Sequence, residues 1–453
     1  MTSSVREQTR TRAAWALLVL CLVQFVDVMG VTSAVVAIPS IIRGVHASGA
    51  LAAPLATAYA MFFGGLLVLG ARLAHKYGHR RLLVAGLVVF AVAGGIGWAA
   101  RYGWQLVLAR SVQGTASALT VPAALSLLLA TASRADQRAR ALGWWSAAGA
   151  AAGASGLFLG GYLTDTVGWR AVFWVNIPVA LLLGAGVIVS VHARPQADRS
   201  RYIDVVGALL LTASVMAMVF GAALLQEPAH RAAGASAVAA GVLLAGLLVL
   251  RLARSKDPIL PLGALRQPRL AAGSLGSFVN TAATSSTAVL LTIHAQETAG
   301  LSALQAGLML LPLSLSVVPG SVLAGPIMRR WGARRTIVLG LALLALGNAV
   351  VALTLDVVAG TVTGLALLGY GLGTSSVACN DLGTKVPQEH VSTATGVLNT
   401  AAQLGTALGV AALILVASAE PAAGGRGSVI AMLIAAAGAV AALAAISRRR
   451  SNV

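Results

Sequence analysis

The stretch that most constrains this chain is a nearly unbroken apolar run over residues 13–39, which carries a single carboxylate, Asp27, near its middle. A helix needs about 20 apolar residues to cross a bilayer core of roughly 30 Å, so this run is long enough to span a membrane. A charge at the centre of such a helix costs roughly 3 kcal/mol on insertion scales and usually faces a partner or a water-filled cavity. The sequence therefore makes Asp27 the first candidate functional residue.

Thirteen further apolar runs follow this one. The composition agrees with many membrane spans, since 58% of the residues are hydrophobic and 10% are charged, whereas soluble domains carry about 25% charged residues. We therefore predict an all-α integral membrane protein with fourteen transmembrane helices, and an even number places both termini on the same side. The predicted spans are 13–39, 50–71, 82–100, 104–130, 141–164, 171–191, 204–226, 232–252, 270–295, 303–327, 336–355, 358–380, 392–418 and 427–446.

The distribution of basic residues orients these spans. If the N-terminus lies inside, most of the 32 Lys and Arg residues fall on inside segments, which is the usual pattern of cytoplasmic loops. The abundance of Arg and Ala fits a GC-rich bacterial genome. We therefore expect a multi-pass protein of the bacterial cytoplasmic membrane with both termini in the cytoplasm. The basic residues left on outside segments are Arg43, Arg101, Arg170, Arg231 and Arg426.

A weak internal repeat divides the chain. The segment GARLAHKYGHRR at 70–81 aligns with AGPIMRRWGARR at 324–335, which sets Gly78 opposite Gly332. Each segment follows the second span of a six-span block, and duplicated halves are the usual build of secondary transporters. We predict two six-helix halves with an inserted two-helix hairpin. The hairpin should face lipid because it carries no charge between Asp204 and Glu227 or between Arg231 and Arg251. The predicted units are the N-tail 1–12, the N-terminal half 13–192, the loop and inserted spans 193–253, the C-terminal half 254–447 and the C-tail 448–453.

Apart from Arg251 near the inner end of the eighth predicted span, Arg110 is the only Lys or Arg that falls within a predicted span. An unpaired guanidinium there is costly, so it should meet an anion or water. Asp27 and Arg110 are thus candidate partners for proton coupling. Burial raises the proton affinity of a carboxylate and a nearby Arg lowers it, so a helix rearrangement that changes these neighbours would load and release a proton. A static pair that only orders the helices is the alternative.

Five stretches, spread over both halves, carry a resemblance to a known family. They are FVDVMGVTSAVVAIPSI at 25–41, GARLAHKYGHRR at 70–81, LARSVQGTASAL at 108–119, ASGLFLGGYLTDTVGWRAVFWVNIP at 154–178 and GVLNTAAQLGTALGVA at 396–411. Together and in this order they resemble the fourteen-helix drug/proton antiporter branch of the major facilitator superfamily. The resemblance implies a multidrug efflux transporter, not an enzyme, which exchanges protons for lipophilic or cationic drugs. It implies no cofactor beyond the proton gradient, a small-molecule substrate, protons and membrane lipids as partners, and a monomer.

The resemblance also implies which residues line the substrate cavity. In the family, helices 1, 4, 9 and 12 surround that cavity, so polar residues on these predicted spans are candidate substrate contacts. Ser and Thr also serve as hydrogen-bonding glue between membrane helices, which is the alternative interpretation. The candidates are Gln24, Gln113, Asn280, Thr281, Thr284, Ser375 and Asn380.

Two further segments resemble motifs with gating and exchange roles. At the position of His75 the family usually has an Asp that helps latch the two halves inside, and His75 lacks that negative charge. The Gly-rich fifth helix is linked to exchange rather than uptake, although Ser155-Gly156 replaces the usual Gly-Pro. A generic basic loop and plain helix packing are the respective alternatives. The loop candidates are Gly70, His75, Gly78, Arg80 and Arg81, and the helix candidates are Gly156, Gly160 and Gly161.

Other classes of function find little support. The sequence has no P-loop pattern G-x-x-x-x-G-K-S/T, and its inside loops of at most about twenty residues are too short for a folded catalytic domain. The net charge of +19 is scattered over short clusters, so we expect no nucleic-acid partner. Cys21 and Cys379 lie in apolar runs and are expected to be small buried side chains, with no metal site. Within transport, an exporter of one natural product and a proton-coupled importer of a small solute stay open.

Overall fold

The computed structural model describes residues 3–131, 135–191, 204–255, 258, 267–355, 357–386, 391–419 and 426–448. These residues contain fifteen α-helices and no strand. The helices are α1 (Ser3–Gly44), α2 (Ala52–Tyr77), α3 (His79–Ala99), α4 (Gly103–Thr131), α5 (Ala135–Thr166), α6 (Arg170–Trp174), α7 (Asn176–Ser190), α8 (Val205–Leu225), α9 (Arg231–Arg254), α10 (Pro268–Ile293), α11 (Ala303–Trp331), α12 (Ala333–Leu353), α13 (Val358–Gly383), α14 (Val391–Ala419) and α15 (Arg426–Arg448). The predicted boundary at 192–193 and the predicted C-tail beyond residue 448 lie outside the described residues.

Two helices differ from the predicted spans in their extent. α1 begins at Ser3, so most of the predicted N-tail continues the first helix. The sixth predicted span is divided into α6 and α7, which are separated by Val175. Pro178 has no N–H to donate to the carbonyl of Trp174, and this missing helical bond accounts for the break.

Twelve helical segments among the described residues are long and apolar enough to cross a membrane, and α6 and α7 together form one of them. The two remaining long helices are α5 and α10, which carry many Gly, Ser, Thr and Asn residues and are therefore less hydrophobic. The architecture is thus an all-helical membrane protein with twelve apolar spans in the described part of the chain. The predicted number of fourteen depends on whether α5 and α10 also cross.

The internal repeat is visible in the backbone. Gly78 joins α2 to α3 with φ +94°, and Gly332 joins α11 to α12 with φ +80°, a conformation that favours glycine. Just after each glycine, an arginine reaches the end of another helix. Arg80 Nη2 donates to the carbonyl oxygen of Ile188 in the last turn of α7 at 2.6 Å. Arg334 Nε donates to that of Ile446 in the last turn of α15, also at 2.6 Å, so the same device appears twice.

We call α1–α7 half one and α10–α15 half two. The halves join where α5 packs on α11 and where α2 packs on α14. The end of the bundle at which α1 ends is called the far end, and the opposite end, which carries Arg80 and Arg334, the basic end. At the far end Gln296 Nε2 donates to the carbonyl oxygen of Val36 at 2.8 Å. Val36 and Ile41 of α1 and Leu290 of α10 belong to one cluster of buried apolar residues, so the halves are in contact at the far end.

The helices α8 and α9 form a hairpin beside the bundle. α8 packs against α2 and α14, so it covers the seam between the two halves. Asp204 caps α8 by accepting from the N–H of Gly207 at 3.0 Å, and Arg251 of α9 binds the same carboxylate at 3.2 Å. α9 packs mainly on α8 and exposes apolar side chains along its outer face, which suits contact with lipid. These include Val242, Leu243, Leu247, Val249 and Leu250.

The hairpin is also tied to half one at the far end. The hydroxyl of Ser48 donates to Glu227 Oε1, and His230 Nδ1 lies 2.9 Å from Glu227 Oε2. The Ser48 hydroxyl, and next the His230 ring, hold the pKa of Glu227 below its usual value. The hairpin is therefore held at both ends by a carboxylate.

Glycines set the distance between α11 and α13. A Cβ atom added at Gly369 would collide with the backbone oxygen of Leu313, and one at Gly320 would collide with that of Tyr370. Small residues let helix backbones approach closely where lipid gives no hydrophobic drive for association. The contact between α11 and α13 is therefore made by backbone rather than by large side chains.

We expect Gly369→Ala to destabilise the protein by about 1–3 kcal/mol, because overpacking forces the backbone to shift. Gly184→Ala is the matched control, since no heavy atom lies within 4 Å of its added Cβ; it should be neutral or stabilise by about 0.5–1 kcal/mol. Thermal unfolding of both purified variants in detergent measures the difference. Equal melting temperatures would contradict this account of the packing.

Candidate functional site

The middle of α1 places Asp27 against α2 and α4. Asp27 is 7% exposed, and Tyr59 of α2 donates its hydroxyl to Asp27 Oδ1. The Oγ atom of Ser117 on α4 lies 2.6 Å from the Tyr59 hydroxyl oxygen. Gly114 of α4 allows α2 and α4 to approach this closely, since a side chain at this position would collide with the backbone of Tyr59. A carboxylate, a phenol and an alcohol thus form one buried chain of hydrogen bonds.

Arg110 lies on the other side of the Tyr59 ring. It is 2% exposed, and its guanidinium carbon is 4.7 Å from the ring centroid, within the range of a cation–π interaction. Its Nη1 atom donates to the backbone oxygen of Gly30 at 3.1 Å and to Gln113 Oε1 at 3.1 Å. In the described structure Asp27 and Arg110 make no direct ion pair. Both side chains instead contact Tyr59, Asp27 through the hydroxyl and Arg110 through the ring.

Several buried polar atoms around this cluster have no hydrogen-bond partner among the described residues. They include Arg110 Nε, Gln113 Nε2 and Gln24 Oε1. Gln24 lies one turn before Asp27, and its side chain faces Gly149 of α5, where an added Cβ would be 3.3 Å from Gln24 Nε2. Unmade hydrogen bonds of buried groups are costly. The cluster therefore offers both donors and an acceptor to a bound molecule or to water.

A second polar group lies in half two. Asn280 of α10 is 1% exposed, and its Nδ2 atom donates to Ser376 Oγ of α13 at 2.8 Å. Its Oδ1 atom has no partner among the described residues. Thr284 donates to the backbone oxygen of Asn280 at 2.7 Å, so its hydroxyl is satisfied within α10. Half two thus presents an amide oxygen where half one presents a carboxylate.

The other cavity candidates lie elsewhere. Thr281 donates to the backbone oxygen of Ala402 at 2.5 Å, which joins α10 to α14. Ser375 is fully buried and packs against α12: a Cβ atom added at Gly340 of α12 would lie 2.6 Å from the Cβ atom of Ser375. Asn380 is exposed and donates to the backbone oxygen of Ser376 at 2.9 Å. The structure therefore brings together Gln24, Asp27, Arg110 and Gln113 in half one. Among the half-two candidates, Asn280 is the one whose buried side chain keeps an unpaired polar atom in the described structure.

The loop candidates serve packing and the helix end. A side chain at Gly70 would collide with the backbone oxygen of Ala118, so this glycine allows α2 to contact α4. His75 is exposed and meets His79 edge to face at 4.8 Å. Arg81 is exposed. Gly78 and Arg80 provide the turn and the helix-end contact described above.

The glycines of α5 face two different helices. Added Cβ atoms at Gly156 and Gly160 would collide with Thr32 and Ser33 of α1, whereas one at Gly161 would lie 2.6 Å from Leu304 Cα of α11. α5 is thus in close contact with α1 of its own half and with α11 of the other.

Sequence reasoning missed Tyr59 and Ser117, which complete the charged cluster. Both lie within predicted spans, and a phenol or a lone hydroxyl there carries no charge to draw notice. A signal was available for Tyr59, because a buried phenol in a membrane needs a hydrogen-bond partner and Asp27 lies on the neighbouring helix.

Comparison with known proteins gives the family. Residues 20–410 match the family model of the Major Facilitator Superfamily. The cephamycin export protein CmcT of Amycolatopsis lactamdurans is 32% identical over 422 residues, which cover 91% of this chain and 86% of that protein. The tetracenomycin C resistance and export protein of Streptomyces glaucescens is 32% identical over 408 residues, covering 87% and 74%. The drug efflux pump JefA of Mycobacterium tuberculosis is 30% identical over 395 residues, covering 86% and 77%.

Solved structures agree on the fold. A nucleoside transporter, NupG, superposes with a TM-score of 0.71 at 12% identity, covering 96% of this chain and 100% of that one. A bacterial homologue of the lysosomal transporter Spinster, in an inward-facing and unoccupied conformation, gives a TM-score of 0.71 at 16% identity, covering 96% and 97%. The predicted resemblance is confirmed, and the chain is a transport protein rather than an enzyme. It belongs to the Major Facilitator Superfamily.

Proposed function

We propose that this protein is a proton-coupled antiporter that exports lipophilic or cationic drugs across the bacterial cytoplasmic membrane. The observation that carries the proposal is the buried cluster of Asp27, Tyr59 and Arg110 in the middle of half one. A charged carboxylate at that depth costs several kcal/mol of folding free energy, and such residues commonly mark sites of proton transfer. The printed names of the relatives, which are exporters and resistance proteins for antibiotics and drugs, support export as the direction.

The cluster can exchange a proton without an ion pair to break. When Asp27 is charged, the Tyr59 hydroxyl donates to it and the Arg110 guanidinium faces the same ring. When Asp27 takes a proton, it needs no donor, and the Tyr59 hydroxyl can turn to Ser117 Oγ, 2.6 Å away. The bound proton thus changes whether the Tyr59 hydroxyl donates to α1 or to α4. A cationic drug would compete with the proton for the same carboxylate, and such competition gives exchange.

The substrate would also meet neutral polar atoms. Gln113 Nε2 is a buried donor, and Gln24 Oε1 and Asn280 Oδ1 are buried acceptors without protein partners. Together they offer neutral polar atoms beside the one carboxylate, Asp27, and the one guanidinium, Arg110, of the described cluster. This combination favours a large apolar molecule that carries at most one positive charge and a few hydrogen-bonding groups.

We further propose that α5 and α10 also cross the membrane, which makes fourteen spans. α5 is enclosed between α1 and α11, and α10 packs on α13, α14 and α15. Both are long enough, and such enclosed helices tolerate a polar sequence because little of their surface meets lipid.

With fourteen spans, the basic end faces the cytoplasm, as do both termini. Since the halves touch at the far end, the conformation is closed there. The proposed partners are protons, drug and lipid, and a monomer is sufficient.

A reporter fusion distinguishes fourteen spans from twelve. Alkaline phosphatase fused after Pro228, in the loop between α8 and α9, should be active in a Gram-negative host because fourteen spans place this loop outside. Without α5 and α10 as spans the same loop would lie inside, and the reporter would be inactive. A fusion after Gly78 is the control, since it should be inactive in either topology. Green fluorescent protein at the same two sites should give the opposite pattern.

Asp27→Asn should reduce proton-driven efflux to near background, because the amide cannot carry a proton. Ethidium efflux from cells lacking their own pumps measures this, with and without a protonophore. Asp381→Asn is the matched control: Asp381 lies at the surface, 2.7 Å from Lys385, and its loss should leave efflux unchanged. Full protonophore-sensitive efflux by Asp27→Asn, at wild-type expression, would refute the proposed role.

Tyr59→Phe should keep the ring beside Arg110 but remove the donor to Asp27. A hydrogen bond to a charged group contributes about 1.5–3 kcal/mol, and its loss disfavours the charged carboxylate. The pH profile of efflux should therefore shift to higher pH. Tyr102→Phe, at an exposed phenol, is the control. An unchanged pH profile for Tyr59→Phe would mean that the hydroxyl has no part in coupling.

An exporter of one natural product is the second candidate, favoured by relatives whose names specify a single antibiotic. A panel of structurally unrelated cations and neutral antibiotics separates the two. Resistance to many of them indicates a multidrug pump, whereas resistance to one chemical class indicates a dedicated exporter. Proton-driven accumulation, instead of efflux, would indicate an importer.

A further inference from the structure

A carboxylate bridges the two halves at the far end. Asp165 lies in the last turn of α5, in half one. Its Oδ1 atom accepts from the backbone N–H of Ala303 at 3.1 Å, and its Oδ2 atom accepts from that of Leu304 at 2.9 Å. Ala303 and Leu304 are the first two residues of α11, in half two. One side chain of half one therefore binds the N-terminus of a helix in the other half through both of its oxygens.

The N-terminus of α11 is incomplete without this side chain. Its own cap, Ser302, accepts from the N–H of Gln305 at 3.2 Å, and Gln305 Oε1 accepts from the N–H of Ser302 at 2.9 Å. This capping box does not reach the N–H groups of Ala303 and Leu304, which are among those that a helix leaves unpaired. Asp165 supplies both acceptors, and its negative charge faces the positive end of the helix dipole.

The backbones of α5 and α11 are in contact beside these bonds. An added Cβ at Gly161 would lie 2.6 Å from Leu304 Cα, and one at Gly307 would collide with the backbone oxygen of Leu157. At these positions the two backbones touch directly, with no side chains between them that could bridge a wider gap. When the far ends of the two halves separate, both hydrogen bonds to Asp165 must break.

We propose that Asp165 is a positioning residue of the transport cycle, a latch that holds α5 of half one on the N-terminus of α11 and favours the state with the far end closed. In the alternate state the carboxylate and the two N–H groups pass to water. The latch is separate from the proton site, since Asp27 lies at mid-helix on α1. It acts on the conformational equilibrium itself, so the inference does not depend on which substrate is carried.

The test measures a distance across the far end. Spin labels are placed at Tyr102→Cys in half one and Val358→Cys in half two, two exposed positions away from the latch. Cys21 and Cys379 are replaced by Ala in this background. Double electron–electron resonance is recorded on full-length protein in lipid nanodiscs without substrate. Asp165→Ala should raise the ratio of far-end-open to far-end-closed molecules by roughly tenfold, since charge-assisted bonds are the strong ones. Asp165→Asn, which keeps one acceptor, should give an intermediate ratio.

Ser302→Ala is the matched control. It weakens the cap of the same helix but removes no contact between halves, so its distance distribution should match that of the unsubstituted background. Elution volume and melting temperature show whether each variant is folded, and the isosteric Asp165→Asn remains if Asp165→Ala is not. The proposal is overturned if folded Asp165 variants leave the distances unchanged, or if Ser302→Ala opens the far end as much as they do. Because no transport is measured, failure here is distinct from failure of proton coupling.

Discussion

The cost of placing charge inside a bilayer governs the structure of half one. Asp27 and Arg110 are both buried in membrane helices, where a lone charge costs several kcal/mol. The chain stabilises them without a direct ion pair, by inserting Tyr59 as hydrogen-bond donor to one and as ring partner to the other. A direct pair would be harder to separate, because removing either partner leaves a buried charge. A mediated pair leaves the carboxylate open to a proton or to a cation.

Such an arrangement needs three helices within one side-chain length of each other. Gly114 and Gly70 provide this, since α2 contacts the backbone of α4 at both positions. The Ser and Thr hydroxyls nearby bond mainly to carbonyls of their own helices, as Ser111 does to Val107 at 2.8 Å. Their contribution is to fill space without leaving polar atoms unpaired. The buried side-chain polar atoms left without a partner in the described structure are thereby mostly amide and guanidinium atoms.

The features that sequence reasoning predicted are those that depend on hydrophobic length and on charge. Asp27, Arg110 and the paired Gly78 and Gly332 turns were all visible in this way, because each breaks an otherwise uniform pattern. The orientation of neutral polar residues was not. Ser375 was expected in the cavity and lies toward α12, because one residue of helix corresponds to a rotation of about 100°. Tyr59 was missed for the same reason, because its role depends on which helix packs against it, and helix packing belongs to the tertiary structure.

In the proposed mechanism, α5 is the element that connects proton binding in half one to half two. The charged cluster itself lies on α1, α2 and α4, and none of its hydrogen bonds reaches the other half. α1, however, is in backbone contact with α5 through Gly160, and α5 is in backbone contact with α11 through Gly161. Packed helices of this kind move as rigid elements rather than deforming. Under the proposed mechanism, a shift of α1 on neutralisation of Asp27 would be passed to α5, and from α5 across the interface to α11.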